Sequence, residues 1–147
     1  EKIDPHSGIV LTNGVFDILH KGHIELLKFS KLQGNKLIVA IDSDERVRLL
    51  KGEDRPINNE EDRRKVLETN MYVDSVVTFN SSEELKTLYK TLCPDVLVKG
   101  SEWTADELRE RDEIPDTIQV KVYPLIGDYS TTNTMEKIRN MGSCEKI

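Results

Sequence analysis

Two histidines three residues apart, His20 and His23, flank Gly22 at the end of the segment Asn13-Gly14-Val15-Phe16-Asp17-Ile18-Leu19-His20-Lys21-Gly22-His23. If a helix opens at this point, both imidazoles project from the same side of its first turn. That turn has N–H groups without intrahelical partners and the positive end of the helix dipole. Gly22 has no side chain to hold a ligand oxygen away from the backbone. The arrangement suits a phosphate group, gripped by two imidazole donors and a helix start. Taken alone, the same residues serve equally well as a polar helix start with no ligand. A zinc site is the weaker reading, because only His6 remains elsewhere and no cysteine cluster completes a coordination sphere. No metal ligand is therefore assigned.

Three further segments carry polar groups that chemistry could use. Ser130-Thr131-Thr132-Asn133 offers hydroxyls that cap a helix and can donate to phosphate oxygens. The stretches Lys51-Gly52-Glu53-Asp54-Arg55-Pro56 and Glu61-Asp62-Arg63-Arg64 are rich in charge, as solvated faces are. Lys99-Gly100-Ser101-Glu102-Trp103 follows an apolar run, and Glu102 reads equally as a surface acid in a turn.

The elements that must position these groups follow from periodicity. Ile9 to Thr12 is a short apolar run ending at Asn13-Gly14, which predicts a buried strand and a turn. Ile24, Leu27 and Leu32, with Leu26 and Phe29, give helical spacing from Gly22, and Gly34-Asn35 reads as its C-cap. Leu37 to Ile41 is continuously apolar, as in a parallel strand covered on both faces. Asp42-Ser43-Asp44 caps a short helix carrying Val47, Leu49 and Leu50, and a second helix runs from about Asn59 to Glu68. Val73 to Phe79, Asp95 to Val98 and Ile118 to Tyr123 are the remaining strands. Helices fall between Ser81 and Cys93, from Trp103 to Arg111 as a short exposed piece, and from Ser130 to about Gly142. Strands alternating with helices predict an α/β, Rossmann-like fold: a five-stranded parallel sheet with helices on both faces. Ligands of such sheets bind beyond the carboxyl ends of the strands, where all four polar segments fall.

Composition narrows the functional classes. The 147 residues form one expected domain, with a core from about 8 to 142 and short flexible tails. A hydrophobic share of 37% beside a charged share of 33% fits a soluble globular chain. Apolar runs reach about five residues against the roughly 20 a membrane helix needs, and no signal peptide is visible. The chain starts at Glu1, so its native start is expected to lie upstream or to have been removed. Cys93 and Cys144 form no CxxC pair, which favours a reducing cytoplasm over a disulfide framework. A formal charge of −6 argues against a nucleic-acid partner and leaves small anions open, since these need only a local cluster of donors.

The string from Gly14 to His23 resembles the GxFDxxHxGH signature of the cytidylyltransferase-like nucleotidyltransferases, and the resemblance extends from about Ile9 to Met141. Thr12-Asn13-Gly14-Val15-Phe16-Asp17-Ile18-Leu19-His20 is similar to the heptose 1-phosphate adenylyltransferase branch. Ser130-Thr131-Thr132 resembles the family's second signature, at the helix that holds the triphosphate. The approach to it, Pro124 to Tyr129, departs from the RTxGIST form of glycerol-3-phosphate cytidylyltransferases, with Leu125 where that arginine would stand.

The resemblance implies catalytic roles for His20, His23, Lys51 (the mobile-loop lysine) and Arg63 (a helix arginine facing the site). It implies nucleotide contacts from Asn13, Gly14, Val15, Phe16, Asp17, Gly22, Lys99, Ser130, Thr131 and Thr132, and acceptor contacts from Arg55, Glu102 and Trp103. Arg64 is expected to be merely exposed. Mg²⁺ would arrive on the nucleotide phosphates, and a homodimer is expected. The implied reaction transfers AMP from ATP to a sugar 1-phosphate, D-glycero-β-D-manno-heptose 1-phosphate in that branch, giving ADP-heptose, a lipopolysaccharide precursor. The domain would stand alone or act with a separate sugar kinase. The alternatives are cytidylyl transfer from CTP to glycerol 3-phosphate and, from another class, a non-catalytic nucleotide-binding module.

Overall fold

The apolar runs pair into a single parallel sheet in a computed structural model that describes residues 8–101, 103–124 and 131–141. Its strands are β1 (Ile9–Gly14), β2 (Lys36–Asp42), β3 (Ser75–Phe79), β4 (Val96–Gly100) and β5 (Gln119–Tyr123), in the order β3-β2-β1-β4-β5. The helices are α1 (Lys21–Lys31), α2 (Asp44–Lys51), α3 (Glu60–Glu68), α4 (Ser82–Leu92), α5 (Ala105–Arg111) and α6 (Thr131–Met141). From β1 the order runs outward to β2 and β3 on one side and to β4 and β5 on the other. The crevice at the carboxyl ends of β1 and β4 is therefore the switch point where such sheets take ligands.

Alternation along the strands explains why both faces are covered. Val10, Leu37, Val39, Ile41, Val96 and Val98 point to one side and pack with Leu26 and Leu27 of α1 and Leu67 of α3. Leu11, Ile38, Ala40 and Leu97 point to the other and pack with Leu85 and Tyr89 of α4. Central strands with apolar residues at consecutive positions are what a sheet buried on both faces requires. Ser43, Asn59, Ser81 and Thr104 each accept a hydrogen bond from a first-turn N–H, and so fix where α2, α3, α4 and α5 begin.

Local expectations shift in a few places. Helix α1 ends at Lys31 with Leu32 as a right-handed C-cap, so Gly34 is not the cap. Gly34 is required for space instead, because a Cβ there would lie 2.4 Å from the Gly8 carbonyl oxygen. Helix α5 is not wholly exposed: Leu108 is buried beneath it. Leu49 and Leu50 of α2 face solvent, and Val47 alone anchors that helix in the core. Arg64 is half-buried and donates to the Val76 carbonyl (2.6 Å) and the Thr78 hydroxyl (3.0 Å), tying α3 to β3.

Candidate active site

Between β1 and α1 the chain makes two left-handed steps, at Phe16 (φ 55°) and Ile18 (φ 52°). A β-branched residue in that region costs on the order of 1–3 kcal/mol and persists only where its surroundings hold it. The holding group is Asp17, buried between the two. Its carboxylate accepts from the Ile57 N–H (2.6 Å), the Asn58 N–H (3.1 Å) and the Asn58 side-chain amide (3.0 Å). Gly14 leaves room for the Phe16 ring, which would stand 3.1 Å from a Cβ at that position. This distorted segment delivers the chain to His20 at the start of α1.

His20 is the N-cap of α1. Its Nδ1 accepts from the Gly22 N–H at 3.0 Å, while the His20 N–H donates to Nδ1 of His23 at 3.1 Å. The two imidazoles thus form a reciprocal capping box and stack with centroids 3.8 Å apart. An Nδ1 that accepts a backbone hydrogen bond carries no proton, so each neutral ring is protonated at Nε2 and presents that N–H as a donor. Burial lowers the pKa of both rings. For His23 it falls to about 4, with His20 adding to the desolvation and Asp17 opposing it. Neutral, Nε2-protonated imidazoles are therefore the forms present at pH 7. Donation to a ligand then comes from ring edges, because the Gly22 N–H is already engaged by His20.

Both histidines line a cavity of about 600 Å³ at the carboxyl ends of β1 and β4, within the range of sites for small ligands. The sequence-derived residues Asn13 to Asp17, Gly22, Lys51, Arg55 and Thr132 share its wall. Lys51 is the last residue of α2, and Gly52 follows at φ 112°, a conformation glycine adopts without strain. Arg55 donates from Nη1 to the Thr132 hydroxyl at 3.4 Å, while its buried Nε has no hydrogen-bond partner among the described residues. The loop that carries Arg55 is the one Asp17 clamps through Ile57 and Asn58.

Other expected residues lie elsewhere. Arg63 is 1% exposed and does not reach the cavity wall. Its Nε donates to the Asn58 carbonyl, Nη1 to the Val15 and Asp42 carbonyls, and Nη2 to the Asp44 carboxylate, all at 2.8–2.9 Å. The expected site-facing arginine is thus a buried tie behind the site, because protein acceptors take up its guanidinium. Lys99 lies on the opposite side of Asn13, donating to its Oδ1 at 3.1 Å, and lines a separate cavity. Trp103 is on neither cavity wall; Arg111 stacks over its ring at 4.7 Å. Glu102, Ser130, Leu125 and the Thr131 side chain lie outside the described residues, as do His6 and Cys144. Sequence reading missed Tyr123 and Pro124, which close the cavity at the end of β5. An aromatic residue before a proline at a strand end was their available signal.

Fold and site together define an α/β domain whose candidate ligand cavity sits at the switch point of a parallel sheet, under a histidine-capped helix. The chain belongs to the cytidylyltransferase-like family, which it matches over residues 11–140. It is 43% identical over 130 residues to the bifunctional protein HldE of Koribacter versatilis, covering 88% of this chain and 26% of that protein. The corresponding figures for the bifunctional protein HldE of Haemophilus influenzae (strain PittEE) are 44% over 132 residues, 89% and 28%. The chain thus spans about a quarter of the length of these relatives. Among solved structures, the lipopolysaccharide core biosynthesis protein from Thermoplasma volcanium superposes with a TM-score of 0.65 at 31% identity, covering 83% of this chain and 98% of that one. Pantothenate synthetase from Thermus thermophilus shares the fold, with a TM-score of 0.58 at 14% identity over 90% of this chain and 65% of that one.

Proposed function

We propose that the 600 Å³ cavity transfers AMP from ATP to a sugar 1-phosphate, D-glycero-β-D-manno-heptose 1-phosphate being the acceptor the family resemblance indicates. The observation that carries this reading is the pair of neutral imidazoles, fixed by their Nδ1 atoms to the helix start and protonated at Nε2 on the cavity wall. Nucleotidyl transfer of this kind needs no nucleophile or base from the protein. A phosphate monoester has a second pKa near 6, so its oxygen arrives largely ionised at neutral pH. That oxygen forms a bond to the α-phosphorus of the triphosphate. The bond from α-phosphorus to the bridging oxygen breaks, and pyrophosphate leaves with the electron pair. The protein's task is to align anions and offset the charge that develops on them.

His20 and His23 are the donors to the reacting phosphates in this reading, and Lys51, Arg55 and Thr132 serve the departing pyrophosphate. Asp17 and Arg63 are positioning residues: they hold the Arg55 loop and the β1–α1 segment in register. Among the described residues no group of three or more histidine, cysteine or acidic side chains could hold a metal, and Asp17 already accepts three hydrogen bonds. A magnesium ion fits this site as a passenger on the nucleotide, where it would offset phosphate charge. Homodimerisation and a cytoplasmic setting belong to the same reading, supported by the family resemblance and by sparse cysteines that form no CxxC pair in the sequence. No helix among the described residues is long and apolar enough to cross a membrane.

The test is pyrophosphate release with ATP, CTP, GTP and UTP, each paired with a panel of sugar and polyol phosphates. Release with ATP and heptose 1-phosphate supports the proposal. Release confined to CTP and glycerol 3-phosphate transfers it to the cytidylyl alternative, and no release with any pair reduces the domain to a binding module.

A further inference from the structure

Lys99 keeps its charge in an unfavourable place. It stands on β4 with its side chain 14% exposed, on the wall of a second cavity of about 280 Å³. Arg46 of α2, Lys86 and Tyr89 of α4, and Arg111 with Asp112 at the end of α5 share that wall. Burial lowers the Lys99 pKa; Asp112 and Asp42 favour the charged form, and Arg111 and Arg46 oppose it. The Asp112 carboxylate lies 3.8 Å away and is already gripped by Arg111 at 2.8 Å. Among the described residues the ammonium donates its hydrogen bond to Oδ1 of Asn13, at 3.1 Å. Burying an ammonium against a neutral acceptor costs stability that an apolar side chain would not.

Asn13 stands beside Lys99 because β1 and β4 run in parallel register, Thr12 against Val98. The Thr12 hydroxyl donates to the Val98 carbonyl at 2.8 Å, one residue before the pair, and ties the two strand ends together. A side-chain amide has an oxygen that accepts and a nitrogen that donates two hydrogens, so by itself it can turn either way. An ammonium only donates, and it therefore holds the amide oxygen on its own side. Asn13 lines the first cavity as well as the second. With its oxygen engaged by Lys99, the Nδ2 hydrogens are left for the first cavity, and no described residue accepts from them. The nearby positive charge also polarises the amide, which strengthens its N–H groups as donors.

We propose that Lys99 is a positioning residue for the first cavity: it turns the Asn13 amide so that Nδ2 donates to a phosphate oxygen of the bound nucleoside triphosphate. The proposal rests on the reading of that cavity as the site of nucleotidyl transfer. Lys99 itself touches no substrate. It acts from the far side of Asn13, and the donor it fixes joins the Nε2–H groups of His20 and His23.

The experiment follows the Asn13 side-chain amide in nitrogen–proton correlation spectra, its resonances identified by their absence from Asn13→Ala. On addition of saturating ATP or, in a separate titration, CTP, they should move in wild type and hold their place in Lys99→Met. Thermal melts monitor the fold. Lys99→Gln, which bonds Asn13 in either orientation of the amide and should reduce the movement, covers the case in which Lys99→Met is unstable. Pyrophosphate release gives the second readout. Asn13→Ala should lower kcat about 10²-fold, the scale of one lost oxyanion donor, and Lys99→Met at least about tenfold. Since Lys99 acts through Asn13, the double variant should stay within about threefold of Asn13→Ala. Resonances that stay put in wild type with both nucleotides overturn the proposal, as does an equal movement in a folded Lys99 variant. So does a double variant in which the two losses multiply. Because the spectra are read with nucleotide alone, a Lys99-dependent movement beside absent pyrophosphate release would reject the transfer reaction and leave the positioning role standing.

Discussion

His20 does two separable things through its two ring nitrogens, and substitution can divide them. Nδ1 accepts from the Gly22 N–H and caps α1, whereas Nε2–H is a donor edge on a cavity-lining ring. Asparagine sets an amide oxygen near the position of Nδ1 and ranks among the best N-caps, but it cannot reach where Nε2 lies. His20→Asn should therefore leave stability within a few tenths of a kcal/mol while removing one donor to the reacting phosphates. Loss of a single such donor costs about 2.7–4 kcal/mol of transition-state stabilisation, or about 10²–10³ in kcat. His20→Ala loses both functions: the same fall in kcat, plus about 1 kcal/mol of cap energy, which lowers Tm by about 2–4 °C in a chain of this size. His20→Gln carries a donor nearer the Nε2 position but no cap, so it should melt early and regain part of the lost turnover. The assay is pyrophosphate release at saturating substrates, run beside thermal melts of the same preparations. If His20→Asn turned over within about threefold of wild type, the imidazole would be only a helix cap, and the catalytic reading of this pair would fail.

Removing the Arg63 side chain strands the Asp44 carboxylate and the Val15, Asp42 and Asn58 carbonyls, so Arg63→Ala should lose about 3–5 kcal/mol in urea unfolding. Lysine cannot reproduce the planar fork, and Arg63→Lys should recover only a minor part of that loss. Gly34→Ala should cost about 1–3 kcal/mol by the same measurement, since the new Cβ meets the backbone oxygen of Gly8 and not a yielding side chain. The pH dependence follows from His23, whose pKa is lowered on folding to about 4. Its contribution is complete above the unfolded value of about 6.5 and is lost as the pH falls through 4, amounting to about 3 kcal/mol over that window. His23→Asn keeps an acceptor for the His20 N–H without the titration, so the stability of wild type relative to this variant should fall by about 3 kcal/mol between pH 6.5 and 4 and change no further below that.

The sheet, its parallel sense and the helices between its strands were legible because apolar runs, capping residues and turn residues all agree in this chain. Ser43 falls within the Asp42–Asp44 stretch and Asn59 at the helix start where sequence reading expects them, and the β1–α1 segment stood out through its resemblance to a family signature. What escaped was direction. Sequence supplies the charge on Arg63 and Lys99 but not which side of a strand or helix they occupy, nor that backbone carbonyls would claim the guanidinium. The roles of the two nitrogens in His20 were hidden for a different reason: a capping box made of two imidazoles lies outside the Ser/Thr–Glu pattern that marks such a box in sequence. The second cavity draws on residues from 13 to 112, which no local spacing relates.

Asp17 and Arg63 stitch together backbone around Val15, Asp42 and Asn58, stretches with no neighbourhood in the chain. Such stitches form only once the sheet is assembled, so the cavity's rear wall cannot loosen by itself while the rest of the domain stays folded. Local breathing that exposes these amides is thereby suppressed. In hydrogen exchange the Ile57 N–H, though it belongs to a loop, should exchange as slowly as the central strands, through complete unfolding alone. A loop amide that keeps time with the core would mean that losing the site and losing the fold are one event.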